Sequence, residues 1–291
     1  MKYLWAVQIE TAAEAADTEV EETLYWYLTE LGLPFVEREL VGGRMQLRGY
    51  LAGETQAAVL EAWRTHVEQQ MGGAIRIDWQ PTAIQDWQAA WQKHWQPIPV
   101  GERLVIWPRW LANPPRDRLV IPLDPGMAFG TGEHATTRLC LRALEAEPQL
   151  GRFADIGCGC GVLTVAALLL GAESGWAVDI DPIATAATLA NLELNRLSDR
   201  ATVLTGSAGV LQGPVDGTVS NILAEVVIDL APEYARLVRP GGWGIFSGLL
   251  VTQADRVSEA LSKQGFQLGQ RLEEGGWSCL TGHFTGKSAG S

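Results

Sequence analysis

The chain has 291 residues, a hydrophobic fraction of 47% and a formal net charge of −12. The length predicts two domains, and the composition predicts packed cores rather than a disordered chain. The acidic balance argues against direct nucleic-acid binding, which needs a basic surface; it fits a basic protein partner, and equally plain solubility. The four cysteines, Cys140, Cys158, Cys160 and Cys279, form no Cys-x-x-Cys pair, and a Cys-x-Cys inside a glycine loop is poorly spaced for zinc. No metal is expected, and reduced thiols imply a cytoplasmic protein. The N-terminus reads as a strand rather than a signal peptide. The longest apolar run, 162–170, is too short to cross a bilayer, so no membrane partner is expected.

In chain order, residues 3–9 read as a strand. Residues 14–31 have helical spacing, with Val20, Leu24, Tyr27, Leu28 and Leu31 on one face. The same helix presents Glu14, Asp17, Glu19, Glu21 and Glu22, a solvated face or a docking face for a basic protein. Strands follow at 34–40 and 44–51, joined at Gly42-Gly43, then a helix at 54–70 and a strand at 74–79. The order β-α-β-β-α-β is ferredoxin-like. Trp87, Trp91 and Trp95 then recur every fourth residue, which lines them along one helix face. That face is a strut between domains or an aromatic surface toward substrate. Pro97 and Pro99 close the helix, and 105–107 and 119–123 are short strands.

Residues 124–137 hold three glycines before a helix, together with Phe129, Thr131, His134, Thr136 and Thr137. Ordering so many glycines is costly without a purpose, so this stretch is expected to fold over a ligand. His134 stands beside a helix start, where a structural role is the commoner one. The rest alternates strand and helix and closes with two strands, 266–272 and 277–284, as an antiparallel pair. The expectation is an α/β doubly wound parallel sheet with a reversed terminal hairpin.

The chemistry centres on Asp155-Ile-Gly-Cys-Gly-Cys-Gly161, between the strand ending at Ile156 and the apolar helix 162–170. A glycine turn there exposes helix-start N–H groups and lets a ligand approach the backbone. A dinucleotide loop needs its third glycine three places after the second, and Val162 stands there instead. About 20 residues on, a second strand ends at Asp179, where a carboxylate can accept both hydroxyls of a ribose. Asp181 precedes Pro182 and reads as a helix N-cap. Acid-x-Gly-x-Gly-x-Gly resembles the loop of S-adenosylmethionine (SAM) methyltransferases.

Five strings in one order narrow the resemblance. They are Pro125-Gly-Met-Ala-Phe-Gly-Thr-Gly-Glu-His-Ala-Thr-Thr137, the loop 155–161, Asp179-Ile-Asp-Pro182, Asn221-Ile-Leu223 and Ser247-Gly-Leu-Leu250. Together with the small N-terminal domain they resemble the ribosomal protein L11 methyltransferase (PrmA) family over nearly the whole length. Cys160 departs from the Ser or Thr usual there, at little change in size. The resemblance implies a class I SAM-dependent methyltransferase at 119–285. It implies a ferredoxin-like recognition domain at 1–80 and a linker helix and connection at 81–118; the tail, 286–291, is small and polar and is expected to be disordered. The implied activity is methyl transfer to lysine side chains and to the N-terminal α-amine of a large-subunit ribosomal protein. By motif, Thr137, Gly157, Asp179 and Asn221 would bind SAM, with Asp155 and Gly159 in the same loop set. Phe129 and Thr131 would cover the methionine end or the target amine, and Asn221 would orient that amine.

A nicotinamide oxidoreductase shares strand–loop–helix units but lacks the loop spacing and a catalytic Lys/Tyr or His pair. A binding module without catalysis would not need the loop, the acid and Asn221 together. Another protein or a small-molecule amine remains an alternative substrate, since fold does not fix substrate.

Overall fold

The computed structural model describes residues 3–14, 24, 28, 36–41, 44–52, 57–71, 75–83, 96–124, 132 and 134–286. The chain divides into two units, Met1–Trp95 and Gln96–Ser291. The first contains β1 (Tyr3–Glu14), β2 (Val36–Val41), β3 (Arg44–Ala52), α1 (Ala57–Gln70) and β4 (Ile75–Ala83). All strand pairs are antiparallel in the order β2-β3-β1-β4, the ferredoxin-like arrangement. Strand alternation sends Val7 and Ile9 to one face. Ile9 faces Leu47 across β3 and Ile77 across β4, so three branched side chains form one buried row. Leu60 and Val67 of α1, two helical turns apart, close over this face with Leu24 and Leu28.

Two expectations change here. Glu14 lies in β1 opposite Arg44, past an irregularity after Glu10, and not in the first helix. The apolar alternation stops at Ile9, but the β3 ladder continues and Thr11 Oγ1 donates to Met45 O. The last strand runs beyond Trp79 to Ala83 and contains Pro81. β4 is a sheet edge, where a missing N–H costs little. The Gly42-Gly43 turn, the acidic positions 17–22, the tryptophan stretch 84–95 and the tail 287–291 lie outside the described residues.

The second unit opens with a three-stranded sheet of β5 (Ile98–Val100), β6 (Leu104–Pro108) and β7 (Leu119–Leu123). β6 pairs antiparallel with β5 and parallel with β7. Pro99 reads as a breaker in sequence, yet it sits in β5, an edge strand that does not need its N–H. The stretch expected as a connection therefore contributes two strands to this unit.

The main sheet is built from β8 (Arg152–Ile156), β9 (Ser174–Asp179), β10 (Ala201–Thr205), β11 (Val215–Asn221), β12 (Val238–Leu250), β13 (Phe266–Glu274) and β14 (Trp277–Phe284). Its order is β10-β9-β8-β11-β12-β14-β13. The first five strands are parallel and β14 runs against β12, as expected for a doubly wound sheet with a reversed hairpin. Helices α2 (Ala135–Ala146), α3 (Val162–Leu169), α4 (Pro182–Leu194), α5 (Ala224–Leu237) and α6 (Ala254–Lys263) connect the strands. α3 is apolar all round but for Thr164 and is buried from Val162 to Leu168, as such a helix must be. α5 and α6 cover a core of Tyr234, Phe246, Val257, Leu261 and Phe266. From β8 the chain steps outward to β9 and β10, then returns to β11 on the other side. The carboxyl ends of β8 and β11 flank that reversal, the place where open α/β sheets bind ligands.

Candidate active site

Three loop ends meet at the reversal. After β8, Gly157, Gly159 and Gly161 have φ of +80°, +54° and +81°. Side chains other than glycine rarely adopt these angles. Space forbids them as well. A Cβ on Gly157 would lie 2.2 Å from Ile222 Cγ2, and one on Gly161 would lie 2.8 Å from Thr188 Cγ2. Gly161 starts α3 with no side-chain cap. Gly157 N and Cys158 N donate to Val178 O at 2.8 and 3.1 Å, which fastens the loop to β9.

Asp179 closes β9 and braces the loop. Its Oδ2 accepts from Gly159 N at 2.9 Å and its Oδ1 accepts from Asp181 N at 3.0 Å. A carboxylate oxygen has two acceptor positions, so each keeps one for a ligand hydroxyl. Asp181 caps α4 as expected, accepting from Ile183 N at 2.8 Å.

Asp155, at the end of β8, is fully buried. Thr164 Oγ1 donates to its Oδ2 at 2.6 Å, while Oδ1 has no hydrogen-bond partner among the described residues. Burial first, and the charge of Asp179 second, raise its pKa to about 7 against the pull of Thr164. At the end of β11, Asn221 Nδ2 donates to Thr137 Oγ1 at 3.3 Å, and Asn221 Oδ1 is the second buried oxygen without a partner among the described residues. Thr137 comes from α2, 84 residues earlier, and is fully buried.

Asp155, Gly157, Gly159, Asp179, Asn221 and Thr137 thus stand at the carboxyl edge of the sheet or on the helix start beside it. Phe129 and Thr131 lie outside the described residues. His134 is the N-cap of α2, its Nδ1 accepting from Thr136 N, and its ring meets Trp277 edge-on at 4.6 Å. Burial, aided by Arg138, lowers its pKa to about 4, so it is neutral and structural near pH 7. Burial pushes the Cys160 thiol up to about 12 and keeps it protonated.

Sequence reasoning passed over the residues that hold this set. Thr164 is the sole polar side chain in the apolar run 162–170, and that oddity pointed to a partner. Ser220 Oγ donates to Ile156 O at 2.8 Å and accepts from Tyr234 Oη at 2.9 Å, locking the ends of β8 and β11 together. Thr188 Oγ1 donates to Gly159 O at 2.9 Å. Nothing in the spacing of Ser220, Tyr234 or Thr188 marks them.

A family model described as ribosomal protein L11 methyltransferase (PrmA) matches residues 6–285. The chain belongs to that family. A ribosomal protein L11 methyltransferase of Gloeobacter violaceus is 65% identical over 99% of this chain and 92% of its own. One from Thermosynechococcus vestitus is 43% identical over 96% and 97%. A crystal structure of ribosomal protein L11 methylase from Lactobacillus delbrueckii subsp. bulgaricus is similar with a TM-score of 0.62 and 33% identity. That match covers 66% of this chain and all of the other.

The fold is that of a class I methyltransferase, and the cofactor is S-adenosylmethionine. The described residues fit it. The left-handed glycines let the backbone turn tightly between β8 and α3, Asp179 has acceptor positions to spare, and two buried oxygens have no donor among the described residues. S-adenosylmethionine carries hydroxyls and an ammonium that suit the free acceptor positions of the Asp179 and Asp155 carboxyls. Among the described residues no group of His, Cys, Asp and Glu could hold a metal ion, and no helix is long and apolar enough to cross a membrane.

Proposed function

We propose that this protein methylates amino groups of ribosomal protein L11, namely lysine side chains and the N-terminal α-amine, in the cytoplasm. The observation that carries the reading is Asn221. Its buried Oδ1 has no donor among the described residues, at the end of β11 and beside Thr137, where a target amine can bring its N–H. Two relatives that match nearly the whole chain carry the name of that substrate.

When bound, S-adenosylmethionine supplies a methyl group already activated on a sulfonium. Thr137, Asp155, Gly157, Gly159, Asp179 and Asn221 would hold it, and Phe129 and Thr131 would cover its methionine end or the amine. Asn221 Oδ1 accepts a hydrogen of the target amine and aims the nitrogen lone pair. Thr137 fixes the other end of the Asn221 amide, so the acceptor does not rotate away. Alignment of this kind is the main contribution a protein can make to such a transfer.

A lysine ammonium, with an ordinary pKa of about 10.4, must first lose a proton. His134 does not take it, because with a pKa of about 4 the transfer would be uphill by roughly 9 kcal/mol. The proton is instead lost to bulk solvent before the amine enters the site: at pH 7 the neutral form of the lysine costs about 5 kcal/mol, less than transfer to His134. The N-terminal domain, 1–80, holds the ribosomal protein, and the stretch that joins it to the second unit lets one site reach several amines. Neither nucleic acid nor a membrane takes part.

The test is incubation with labelled S-adenosylmethionine and unmethylated L11, free and in ribosomes, followed by mass spectrometry. Label on lysines and on the N-terminal amine is expected. A protein that binds the cofactor but leaves L11 unlabelled has another substrate, and the proposal falls.

A further inference from the structure

The string Ser247-Gly-Leu-Leu250 closes β12, the strand beside Asn221. Pairing of β11 with β8 ends at Ser220 opposite Ile156. Pairing with β12 runs one residue further, to Asn221 opposite Ser247, and Ile222 N donates to Ser247 O at 3.1 Å. Past Ser220, then, the backbone that carries Asn221 is held from the β12 side. The chain leaves the sheet almost at once, because α5 starts at Ala224, with no side-chain cap from Leu223.

β12 meets this point with an irregularity. Ser247 faces Cys279 and Leu249 faces Ser278 on β14, so Gly248 is one residue too many for the partner strand. It is a β-bulge, a device that re-aims a strand or ends its pairing next to a site. Ser247 is fully buried, and its Oγ donates to Ser278 O at 3.0 Å, which fastens the strand just before the bulge. Gly248 has φ of +87°, in the left-handed region. Its bare face lies on the Ile222 peptide: a Cβ there would be 2.1 Å from Ile222 O, 2.7 Å from Ile222 C and 2.9 Å from Ile222 N. These are main-chain atoms of the residue after Asn221, and they cannot swing aside as a side chain would. Ile222 is also the residue whose Cγ2 fills the space beside Gly157. It lies between two glycines, its side chain on the cofactor loop and its peptide on the bulge.

We propose that Gly248 is a positioning residue for methyl transfer. By letting β12 lie flush on the Ile222 peptide, it sets where Asn221 stands relative to the loop 157–161. The inference rests on the reading of Asn221 as the residue that aims the target amine. A carbon atom keeps about 3.5 Å from such neighbours, so an alanine at 248 must part β12 and the Ile222 backbone by roughly 1 Å or more. A displacement of about 1 Å can cost about 10²-fold in rate. Gly241 supplies the control. It lies in the same strand at φ +78°, but a Cβ there meets only the far end of Arg239, at 3.7 Å. Gly241→Ala therefore carries a similar backbone strain without the displacement.

The experiment uses the full chain, single-turnover transfer from labelled S-adenosylmethionine to free L11 at saturating cofactor, and calorimetric cofactor binding in parallel. We expect Gly248→Ala to slow transfer by about 10²-fold and to weaken cofactor binding by less than about fivefold, since lost alignment is felt in the rate. Gly241→Ala should lower the melting temperature and slow transfer by less than about twofold. The double variant with Asn221→Ala reads the route. If Gly248 acts through Asn221, Gly248→Ala slows the Asn221→Ala protein by less than about fivefold. A folded Gly248→Ala with the parent's rate overturns the inference. So does an equal slowing in Gly241→Ala, or a double variant slowed by the full product of the two single effects. Should Gly248→Ala not fold, Ile222 tests the same stack from its middle. Ile222→Ala removes Cγ2 and should slow transfer at least about fivefold more than Ile222→Val, which keeps it. Equal rates in those two variants overturn the inference as well. Asn221→Ala at the parent's rate would instead count against the reading of Asn221 and take the inference with it.

Discussion

The two units solve the problem of burial differently. In the N-terminal sheet the interior is a set of apolar rows, and Thr11 is the one buried polar side chain among its described residues. In the C-terminal unit Thr136, Thr137, Asp155, Thr164, Thr188, Asn191, Ser220 and others are buried as well. Burying a polar group is costly unless it is bonded, and an unbonded one stays costly. The second unit carries that cost at the carboxyl edge of its sheet, where Asp155 and Asn221 each keep an oxygen without a partner among the described residues. The first unit is arranged for packing, and the second keeps acceptors unmet among the described residues at a ligand site.

The largest effect that would sharpen this contrast is on stability. Asp155 has an ordinary pKa near 3.8 and a folded value of about 7, raised chiefly by burial. An acid raised in the folded state binds its proton there after the unfolded chain has released it. Stability is therefore full below about pH 4 and falls as pH rises toward 7, by about 1.4 kcal/mol per unit. Asp155→Asn cannot titrate. Its stability relative to the parent should rise by roughly 4 kcal/mol between pH 4 and pH 8, while its S-adenosylmethionine affinity falls. Urea unfolding without cofactor at several pH values reads this directly. A stability difference that stays flat with pH would show that Asp155 is an ordinary acid.

The next effect belongs to the first unit. Ile9→Ala empties the centre of the Ile9–Leu47–Ile77 row and should cost about 2–5 kcal/mol. The contrast requires cofactor affinity to stay at the parent value in this variant, at a temperature where the protein remains folded. A matching loss of cofactor binding would mean that the first unit is more than a packed scaffold. Asn221→Ala is the reciprocal case. It should slow single-turnover transfer by roughly 10²-fold at saturating cofactor, with a smaller change in affinity, because lost alignment is felt in the rate. An unchanged rate would remove Asn221 from the amine site.

Much of this contrast is legible in the sequence, for identifiable reasons. The parallel sheet shows because its strands are buried on both faces and read as apolar runs ended by acids or Asn. The glycine loop shows because its backbone angles admit nothing else. Asp181 shows because an N-cap before proline is a local rule. What the sequence hides depends on partners far along the chain. β5 is hidden by Pro99, which only an edge can tolerate. Glu14 reads as helix because its strand partner Arg44 is 30 residues away in sequence. Ser220 with Tyr234, and Asn191 with Asp124, are pairs that only the folded topology brings within reach. Asn221 and Thr137, by contrast, were findable through family motifs and not through spacing, since 84 residues separate them.

The smallest expected effect tests whether Asp179 belongs with the packed residues or with the unmet ones. Both its oxygens already bond backbone N–H groups, of Gly159 and Asp181. On that evidence alone it could be a brace for the loop and nothing more. The two roles differ in what a conservative change does. Asp179→Asn keeps one acceptor oxygen but turns the other into a donor, which cannot serve an N–H. A brace would lose stability and bind cofactor normally once folded. A ribose ligand would lose an acceptor of its hydroxyls even where the loop survives. We expect Asp179→Ala to weaken S-adenosylmethionine binding by about 1.5–3 kcal/mol, the scale of hydrogen bonds to a charged group. The analogue lacking the ribose hydroxyls separates the roles. It should bind parent and variant alike, because the interaction removed by mutation is already missing from the ligand. If the variant loses as much affinity for the analogue as for S-adenosylmethionine itself, Asp179 acts through the loop and the ribose assignment fails.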